Sequence, residues 1–319
     1  MSVAEIYEAS PVNPRRRATR DEMEERAVFL IAYAATHGPA TVRQLYYRAE
    51  VEGLPGIDKT ESSYGKIQRQ VLLLRRTGRL PYQDIADLTR WMRKPASFNS
   101  VAQALQETAR LYRKALWLDA EVYIEIWCEK DALAGVIYPI TALYDVPLMV
   151  ARGFSSETFC FEAVEARVGD PRPYIIYYLG DCDRSGRDAA AALKEKLERF
   201  AAERDVKVVF VHLAIAEDDI FQFDAAACRV HVGFTFGGNE FDKWLPTREP
   251  KRKSRADQLW PHPFACELDA IEPDDLRELV HWAIEYHLPP DQLRVLQVAE
   301  ASERELITLF VAGIAGGEP

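Results

Sequence analysis

The sequence lacks several features that define major classes of protein. It contains no run of 18 or more uncharged apolar residues, so no membrane-spanning segment is predicted. The N-terminus carries acidic residues where a secretory signal peptide needs an apolar core, so we expect no secretion. The five cysteines are scattered and form no CxxC pair, which is typical of reduced thiols and not of a disulfide framework or zinc site. These absences favour a cytoplasmic protein.

Nucleotide-hydrolysing motifs and internal repeats are also missing. The chain has no G-x-x-x-x-G-K-[ST] loop, so we expect no ATP hydrolysis by this chain itself. Its 319 residues, 48% of them hydrophobic, are enough to form more than one hydrophobic core. The net charge of −10 argues weakly against a uniformly basic DNA-binding protein, although the distribution of charge matters more than its sum.

Basic residues are concentrated in one N-terminal segment. From Glu61 to Lys94 the chain has eight basic residues and three acidic ones, and a second basic cluster lies at 248–255. A local basic stripe on an acidic protein is compatible with DNA binding. The same pattern is also found on an ordinary solvated helix face, and the sequence leaves that alternative open.

Hydrophobic periodicity predicts a helical block at 20–118, after a flexible lead-in at 1–19. Short helices are expected to begin near Arg20, Thr41 and Thr60, where helix-start signals precede apolar stripes. The segment RLPYQDI follows the third helix as an extended piece, and a longer helix is predicted at 99–116. Three short helices with a basic third one are typical of a winged-helix or helix-turn-helix domain.

The second block, 119–215, alternates apolar strands with helices. This order predicts a parallel sheet with helices on both faces, and therefore an α/β fold. The strands are expected at 122–128, 147–151, 174–179 and 206–214. Right-handed crossovers bring the C-terminal ends of such strands to one edge of the sheet, where ligands bind.

The last block, 216–319, is predicted to be α-rich and associated with the sheet domain. Amphipathic helices are expected at 271–288 and 301–314. Residues 221–244 are rich in phenylalanine and contain a Gly-Gly pair. Their apolar residues show no clear helical or strand periodicity, so no secondary structure is predicted for them.

Three carboxylates are expected at the ligand-binding edge of the sheet. Glu129 directly follows the first strand, and Asp181 and Asp183 follow the third in LGDCDRSG. Carboxylate oxygens are the ligands that Mg²⁺ prefers, and a bound cation can stabilise phosphate charge. The alternative is that the two aspartates are turn and N-cap residues of the next helix. Their position at strand exits of one sheet favours a metal site.

Two motifs in order resemble a known protein family. WCEKDALAGVI followed by GDCDRSG resembles a Toprim domain, the topoisomerase–primase fold, which has a Glu after its first strand and a later D-x-D. GDCDRSG is especially similar to the form in the topoisomerase VI A subunit and the related meiotic double-strand-break transesterase. Those proteins carry an R-x-x-Y-Y segment in a preceding winged-helix domain, where this chain has RQLYY from Arg43 to Tyr47. LPTREPK and ELDAIEPDDLREL also look like C-terminal parts of short bacterial, phage and plasmid relatives.

Helical geometry distinguishes the two tyrosines of that segment. Tyr46 shares an apolar stripe with Val42 and Leu45, and is predicted to pack inward. Tyr47 lies off this stripe, on the side of Arg43, whose guanidinium could hold a phosphate near the phenol. A phenol with a pKa near ~10 needs a base or nearby cations to act as a nucleophile. A tyrosine pair alone would be ordinary packing, but the resemblance points to Tyr47 as the nucleophile.

The resemblance implies cleavage of double-stranded DNA. Tyr47 would attack a phosphodiester and remain joined to the 5′ end, while Mg²⁺ held by Glu129, Asp181 and Asp183 stabilises the phosphate. In the related proteins the tyrosine of one subunit works with the metal of the other, which implies a homodimer. Strand passage, as in a type IIB DNA topoisomerase, would need a separate ATPase subunit of the B type.

The basic residues of the third helix receive a role in the same scheme. These residues are Arg69, Arg75, Arg76 and Arg79. They would contact the phosphates of the DNA backbone without reading the base sequence. Lys130, beside the predicted metal site, could do the same, although a surface lysine at a helix start explains it equally well. Such a protein would associate with the nucleoid.

Two other classes of function remain open. The first is a Toprim nuclease that cleaves DNA with metal-activated water, in which both tyrosines are structural. The second is a non-catalytic DNA-binding partner whose acidic residues only stabilise the fold.

Overall fold

The N-terminal helices pack around one small core. The structure, a computed structural model, describes residues 18–86, 97–153, 155–251, 257–288 and 290–315. Threonine N-caps start the first three helices, because each threonine hydroxyl accepts a hydrogen bond from a backbone N–H of the first turn. These helices are α1 (Arg20–His37), α2 (Val42–Val51) and α3 (Glu61–Arg76). Leu30, Leu45 and Ile67 are fully buried between them, and Leu30 and Leu45 belong to the apolar stripes predicted for the first two helices.

The connection from this helical unit to the sheet differs in detail from expectation. RLPYQDI forms a 3-10 turn at Tyr82–Asp84, and Ile85 makes a single parallel bridge to Ala40. Helix α4 spans Val101–Leu111 and is shorter than the predicted 99–116. The chain leaves the helix at Tyr112, whose hydroxyl donates to Glu303 at 2.5 Å. Tyr112, which local periodicity would keep in the helix, instead has non-helical backbone and a long-range contact with α9.

A parallel sheet of four strands forms the centre of the fold, which confirms the predicted α/β architecture. The strand order is β2-β1-β3-β4, with every neighbouring pair parallel. The strands are β1 (Tyr123–Cys128), β2 (Leu148–Val150), β3 (Tyr174–Leu179) and β4 (Val208–Ala214). β1 and β3 pair in register over six residues each. Apart from Glu125, which accepts hydrogen bonds from Trp127 Nε1 at 2.7 Å and from the Tyr174 hydroxyl at 2.6 Å, the side chains of these two strands are apolar or aromatic, as is typical of strands covered on both faces.

Helices cover both faces of this sheet. One face packs with α5 (Ala134–Leu143) and α8 (Pro273–Glu285), and the other with α6 (Glu157–Glu165) and α7 (Arg184–Arg204). Alternate residues of β1 enter opposite cores, with Ile126 on the α5 side and Trp127 on the α6 side. Helix α9 (Pro290–Ala315) packs against α4. In the described parts of the chain, no helix combines the length and apolar character that crossing a membrane requires.

The C-terminal block was predicted to be α-rich, and this was incomplete because it also contains an antiparallel sheet. Its strands are β5 (Ile220–Asp224), β6 (Arg229–Phe236) and β7 (Asn239–Pro246), in that order. Gly237 and Gly238 join β6 to β7 with φ values of +57° and +84°, a two-residue turn that glycine adopts without strain. The segment 221–244 thus forms most of this sheet.

Candidate functional site

The C-terminal ends of β1 and β3 bring Glu129 and the D-x-D aspartates to one edge of the sheet. The backbone N–H of Glu129 donates to the Leu179 carbonyl at 2.8 Å, and Glu129 Oε2 accepts from the N–H of Asp181 at 2.9 Å. Gly180 permits this approach, because a Cβ there would lie 2.6 Å from the Tyr178 ring. Topology therefore places the predicted acids next to each other.

Asp183 combines the two roles that the sequence left open. Its Oδ1 accepts from the N–H of Gly186 at 2.8 Å, and it is therefore the N-cap of α7. Its Oδ2 accepts from Arg248 Nη2 at 2.7 Å. Asp183 is buried, so this contact supplies positive charge to a carboxylate with little access to water. N-capping accounts for only one of its two oxygens.

Glu267 and Asp269 complete the cluster and were missed as site residues from the sequence. Cys182 and Cys266 exchange two backbone hydrogen bonds of 2.8 and 3.0 Å, which hold the ELDAI segment beside the D-x-D turn. Both acids are buried, and the N–H of Leu268 between them donates to Asp181 Oδ1 at 2.7 Å. In the sequence, ELDAI is part of a segment that resembles the C-terminal part of short relatives, and this resemblance predicts no role for its two carboxylates.

Lys130 lies inside this acidic cluster and not with the arginines of α3. Its ammonium is 2.7 Å from Asp269 Oδ2, 2.9 Å from Asp181 Oδ1 and 3.7 Å from Glu267 Oε2. Burial alone would lower the pKa of Lys130, but the three carboxylates outweigh it and raise the pKa above its usual value. Lys130 is therefore a permanent cation shared by several acids.

Tyr47 points its phenol into the same cluster. Its hydroxyl donates to Glu267 Oε2 at 2.9 Å, and the residue is only 6% exposed. Burial raises the pKa of Tyr47 above its usual range, and the charge of Glu267 raises it further, against the opposing effect of Arg43 and Arg248. The phenol is protonated at neutral pH. Tyr46 is also buried, and its hydroxyl donates to the Asp58 carbonyl, which confirms the prediction that it packs inward.

Glu267 connects the tyrosine to the other charged groups. Its Oε1 forms an ion pair with Arg248 Nε at 2.5 Å, while Arg43 Nε lies 3.8 Å from its Oε2. Burial would raise the pKa of Glu267, but Lys130, Arg248 and Arg43 together lower it below the usual value. Glu267 is consequently an ionised acceptor for the Tyr47 proton.

Arg43 occupies the position that helical spacing predicted, one turn before Tyr47. Its guanidinium lies 4.3 Å from the centroid of the Tyr64 ring on α3, a cation–π contact. Its side chain is 31% exposed, whereas Tyr47 is only 6% exposed. Arg43 is therefore the more accessible of the two α2 residues that contact Glu267.

Several contacts dock α2 onto the segment that carries the missed acids. The Thr41 hydroxyl donates to Asp269 Oδ1 at 3.1 Å, and Arg48 pairs with Glu272 at 2.8 Å. Arg277 donates to the Pro39 carbonyl at 2.8 Å. The family resemblance implies that tyrosine and acids come from different subunits, whereas here Tyr47 contacts acids of its own chain.

The α3 arginines form a separate surface feature. Arg69 and Arg76 are exposed, and Arg75 lies 4.3 Å over the Tyr82 ring. Arg79 was predicted with the third helix but lies after its end at Arg76, where it forms two hydrogen bonds of 2.9 and 2.5 Å with Glu24. Arg69 borders a groove of about 560 Å³ between α1 and α3. Other predicted basic residues lie outside the described part of the chain, namely Arg90, Arg93, Lys94, Arg252, Lys253 and Arg255.

The donor chemistry of the predicted metal site fits Mg²⁺, although no preformed cage exists. In the described residues, no group of three or more His, Cys, Asp and Glu side chains is arranged to hold a metal ion. Burial raises the pKa of Glu129, and repulsion from Asp181 and Asp183 raises it further. A divalent cation would relieve this repulsion between hard oxygen donors. Lys130 already contacts Asp181 and Arg248 already contacts Asp183, so the divalent cation would share these two carboxylates with them.

The fold and the site together define an α/β protein with a buried cluster of carboxylates, cations and one tyrosine at the edge of its parallel sheet. Comparison of the chain with models of protein families, with curated proteins and with solved structures found no match.

Proposed function

We propose that this protein cleaves DNA by tyrosine transesterification, as the A subunit of a type IIB topoisomerase does, with Tyr47 as the nucleophile. The observation that carries the proposal is the 2.9 Å hydrogen bond from Tyr47 to Glu267, a residue 220 positions away. Arg248 contacts both Glu267 and Asp183. Lys130 contacts both Glu267 and Asp181. One network thus joins the residues that two separate motifs predicted. Buried networks of perturbed groups are typical of active sites.

The fold is compatible with this assignment at the level of domains. The helical unit of α1 to α3 would be the winged-helix domain, and the parallel sheet with Glu129 and the D-x-D turn would be the Toprim domain. Double-stranded DNA would lie across the exposed arginines of α3, where backbone phosphates provide most of the affinity. Strand passage would also require an ATPase partner of the B type, whereas cleavage would not.

In the proposed reaction, Tyr47 Oη attacks the phosphorus of a DNA phosphodiester. A bond forms between Oη and phosphorus while the bond from phosphorus to the 3′ oxygen breaks. The phenolic proton passes to Glu267, whose oxygen already accepts it in a hydrogen bond. The 3′ oxygen leaves with the electron pair and takes up a proton from solvent. The DNA is left joined to Tyr47 through its 5′ phosphate.

Arg43 and Arg248 are positioned to bind the phosphate. Both contact Glu267 beside the phenol, so a phosphodiester that reaches Tyr47 meets two guanidinium groups. Phosphate binding would withdraw their positive charge from Glu267, which makes this carboxylate a better proton acceptor. Lys130 keeps its contacts with Asp181 and Asp269 and holds the cluster together.

Magnesium would be held by Glu129, Asp181 and Asp183 in this scheme. When bound, it supplies positive charge to the phosphate and to the leaving oxygen. DNA must also reach a tyrosine that is 6% exposed. DNA would therefore reach the phenol past the Arg43 side chain, which is 31% exposed, while α2 stays against residues 267–277 and Tyr47 keeps its hydrogen bond to Glu267.

The proposal is tested by comparing Tyr47→Phe with Tyr46→Phe as a matched control. Supercoiled plasmid is incubated with the full chain and Mg²⁺, and the reaction is stopped with detergent and treated with protease. We expect the wild type and Tyr46→Phe to give breaks with protein on the 5′ ends, and Tyr47→Phe to give none. Cleavage by Tyr47→Phe that leaves free ends would identify a metal-dependent nuclease instead. A wild type that binds DNA without cleaving it would favour the non-catalytic alternative.

A further inference from the structure

Helix α9 has an apolar face that the described part of the chain leaves uncovered. Its exposed apolar side chains are between 63% and 68% exposed, and they are Val295, Val298, Leu306, Leu309 and Phe310. The opposite side of the helix packs on the main body through buried residues, among them Leu293 and Val311. Several large apolar side chains so exposed on one helix form a patch, and such patches mark interaction sites.

The exposed positions are symmetric about Ser302. Val298 and Leu306 lie four residues on either side of it, and Val295 and Leu309 lie seven residues on either side. Positions at these spacings share one face of a helix, so the residues form a single stripe about 21 Å long. A two-fold interface must be self-complementary, with each surface matching its own rotated copy. A stripe with this symmetry matches itself when two helices run antiparallel.

We propose that α9 is the surface on which two copies of this chain pair, antiparallel and crossing at Ser302. Val298 of each copy would then meet Leu306 of the other, and Val295 would meet Leu309. Ser302, with its small side chain, lets the two helices approach closely at the crossing point. This inference does not depend on the proposed DNA cleavage.

Charge complementarity supports a second copy as the occupant of this face. Arg294 and Glu305 border the stripe on the same side, at about 80° and 60° from its centre line. The two-fold rotation brings Arg294 of one copy to the edge where Glu305 of the other lies. The Arg294 side chain is 80% exposed, and within the described part of the chain its one ion pair is a distant contact with Asp291 at 3.9 Å. It is therefore available to pair with the acid of the second copy.

The available area is also close to what a stable pair needs. A groove of about 480 Å³, lined by Leu118 and Val295, continues the stripe at the end where Leu309 of the second copy would arrive. Leu118 is 78% exposed. With about 100 Å² from each of six exposed side chains, each copy would bury about 600 Å² of apolar surface, compared with about 800 Å² of polar and apolar surface per partner in an interface of standard size.

The resulting dimer would carry two separate sites. Each chain holds Tyr47 against its own Glu267, so pairing through α9 leaves both clusters intact. This differs from the arrangement implied by the family resemblance, in which each site draws its tyrosine and its acids from different subunits.

The first test is the mass of the full chain in solution. Light scattering after gel filtration, from about 1 to 100 µM, should give twice the 36.3 kDa of one chain at the higher concentrations. Leu306→Glu/Leu309→Glu should be monomeric with an unchanged circular dichroism spectrum. Leu72→Glu, a change at an exposed leucine on α3, should remain dimeric. A monomeric wild type, or a dimer that survives the double change, would overturn the proposal.

The second test locates the crossing point. In a Cys228→Ser background, which removes the exposed cysteine among those described, Ser302→Cys should be joined into a covalent dimer by a short bis-maleimide. Ser62→Cys, at an exposed position on α3, should not be joined. A dimer in which Ser302→Cys fails to react with its copy would show that the chains pair elsewhere, and would refute the α9 interface.

Discussion

Replacing Lys130 by Met removes the cation on which the acidic cluster depends. The ammonium lies within 3.0 Å of Asp181 and Asp269 and 3.7 Å from Glu267. Methionine has a similar length and fills similar space, so the main change is the loss of positive charge. Buried carboxylates that lose their partner keep the cost of desolvation without the compensating attraction.

The size of the effect follows from the burial of these groups. Removing one partner of a buried ion pair typically costs about 3–5 kcal/mol in the free energy of unfolding. The Lys130 side chain is 22% exposed, and Arg248 continues to neutralise Glu267, so we expect the lower end, about 3 kcal/mol. With an entropy of unfolding of about 2.1 cal/mol/K per residue, a chain of 319 residues would then show a decrease in Tm of about 4–5 °C.

Thermal and urea unfolding, followed by circular dichroism in EDTA, measure this change. EDTA prevents a divalent cation from replacing the lost charge. Lys194→Met is the matched control, because Lys194 is 50% exposed on α7 and, among the described residues, pairs only with Glu198 at 3.8 Å. The control should change the free energy of unfolding by less than about 0.5 kcal/mol. A Lys130→Met protein as stable as the wild type would refute our description of the cluster.

Two further predictions concern other parts of the chain. Burial raises the pKa of Asp219 to about 6, so its ionised form opposes folding at neutral pH; this penalty is complete above about pH 6 and is lost as the pH falls from 6 towards the ordinary pKa of 3.8. Asp219→Asn keeps an acceptor for the N–H of Ala216. In urea titrations it should raise the free energy of unfolding by about 1–2 kcal/mol near pH 8, a value discounted for partial exposure, and by almost nothing below about pH 4. Equal stabilisation at both pH values would contradict this. Arg69→Glu/Arg76→Glu should weaken DNA binding and flatten its salt dependence by roughly two units of slope, measured by fluorescence anisotropy. Arg110→Glu on α4 should leave the slope unchanged, and an unchanged slope for the α3 double variant would remove α3 from the DNA surface.

Features that depend on neighbouring residues were predictable from the sequence. Thr41 caps α2 through a hydrogen bond within four residues, so its role could be predicted without the rest of the fold. The meeting of Glu129 with Asp181 was also predictable, because parallel strands exit at the same edge. Local geometry and sheet topology were sufficient for both.

The hairpin of β6 and β7 could have been found, since its signals are present. Val230, Val232 and Phe234 alternate with polar or small residues, and Gly237-Gly238 is a strong two-residue turn signal. Alternation in the longer window 221–244 is broken between β5 and β6, where the chain turns at 225–228. This interruption obscures the two-residue alternation of β6 when 221–244 is taken as a single segment.

The roles of Glu267, Arg248 and Lys130 could not be predicted from spacing. Glu267 reaches the site because the backbone of Cys266 forms an antiparallel β-bridge with that of Cys182, 84 residues earlier in the chain. No local sequence pattern specifies this backbone contact. The sequence predicts Lys130 as a possible DNA contact near the metal site or as a surface lysine at a helix start. Its burial depends on acids supplied by a distant segment. Long-range pairing thus decides the charge environment of Tyr47.

Identification of the residue that becomes joined to DNA tests the central proposal most directly. Cleavage by the full chain in Mg²⁺ is stopped with detergent, the DNA is digested with nuclease, and the tryptic peptides are sequenced by mass spectrometry. We predict a nucleotide linked through its 5′ phosphate to Tyr47, in the peptide that also contains Tyr46. Cleaved DNA with no modified peptide, or a nucleotide on any other residue, would contradict the assignment of Tyr47 as the nucleophile.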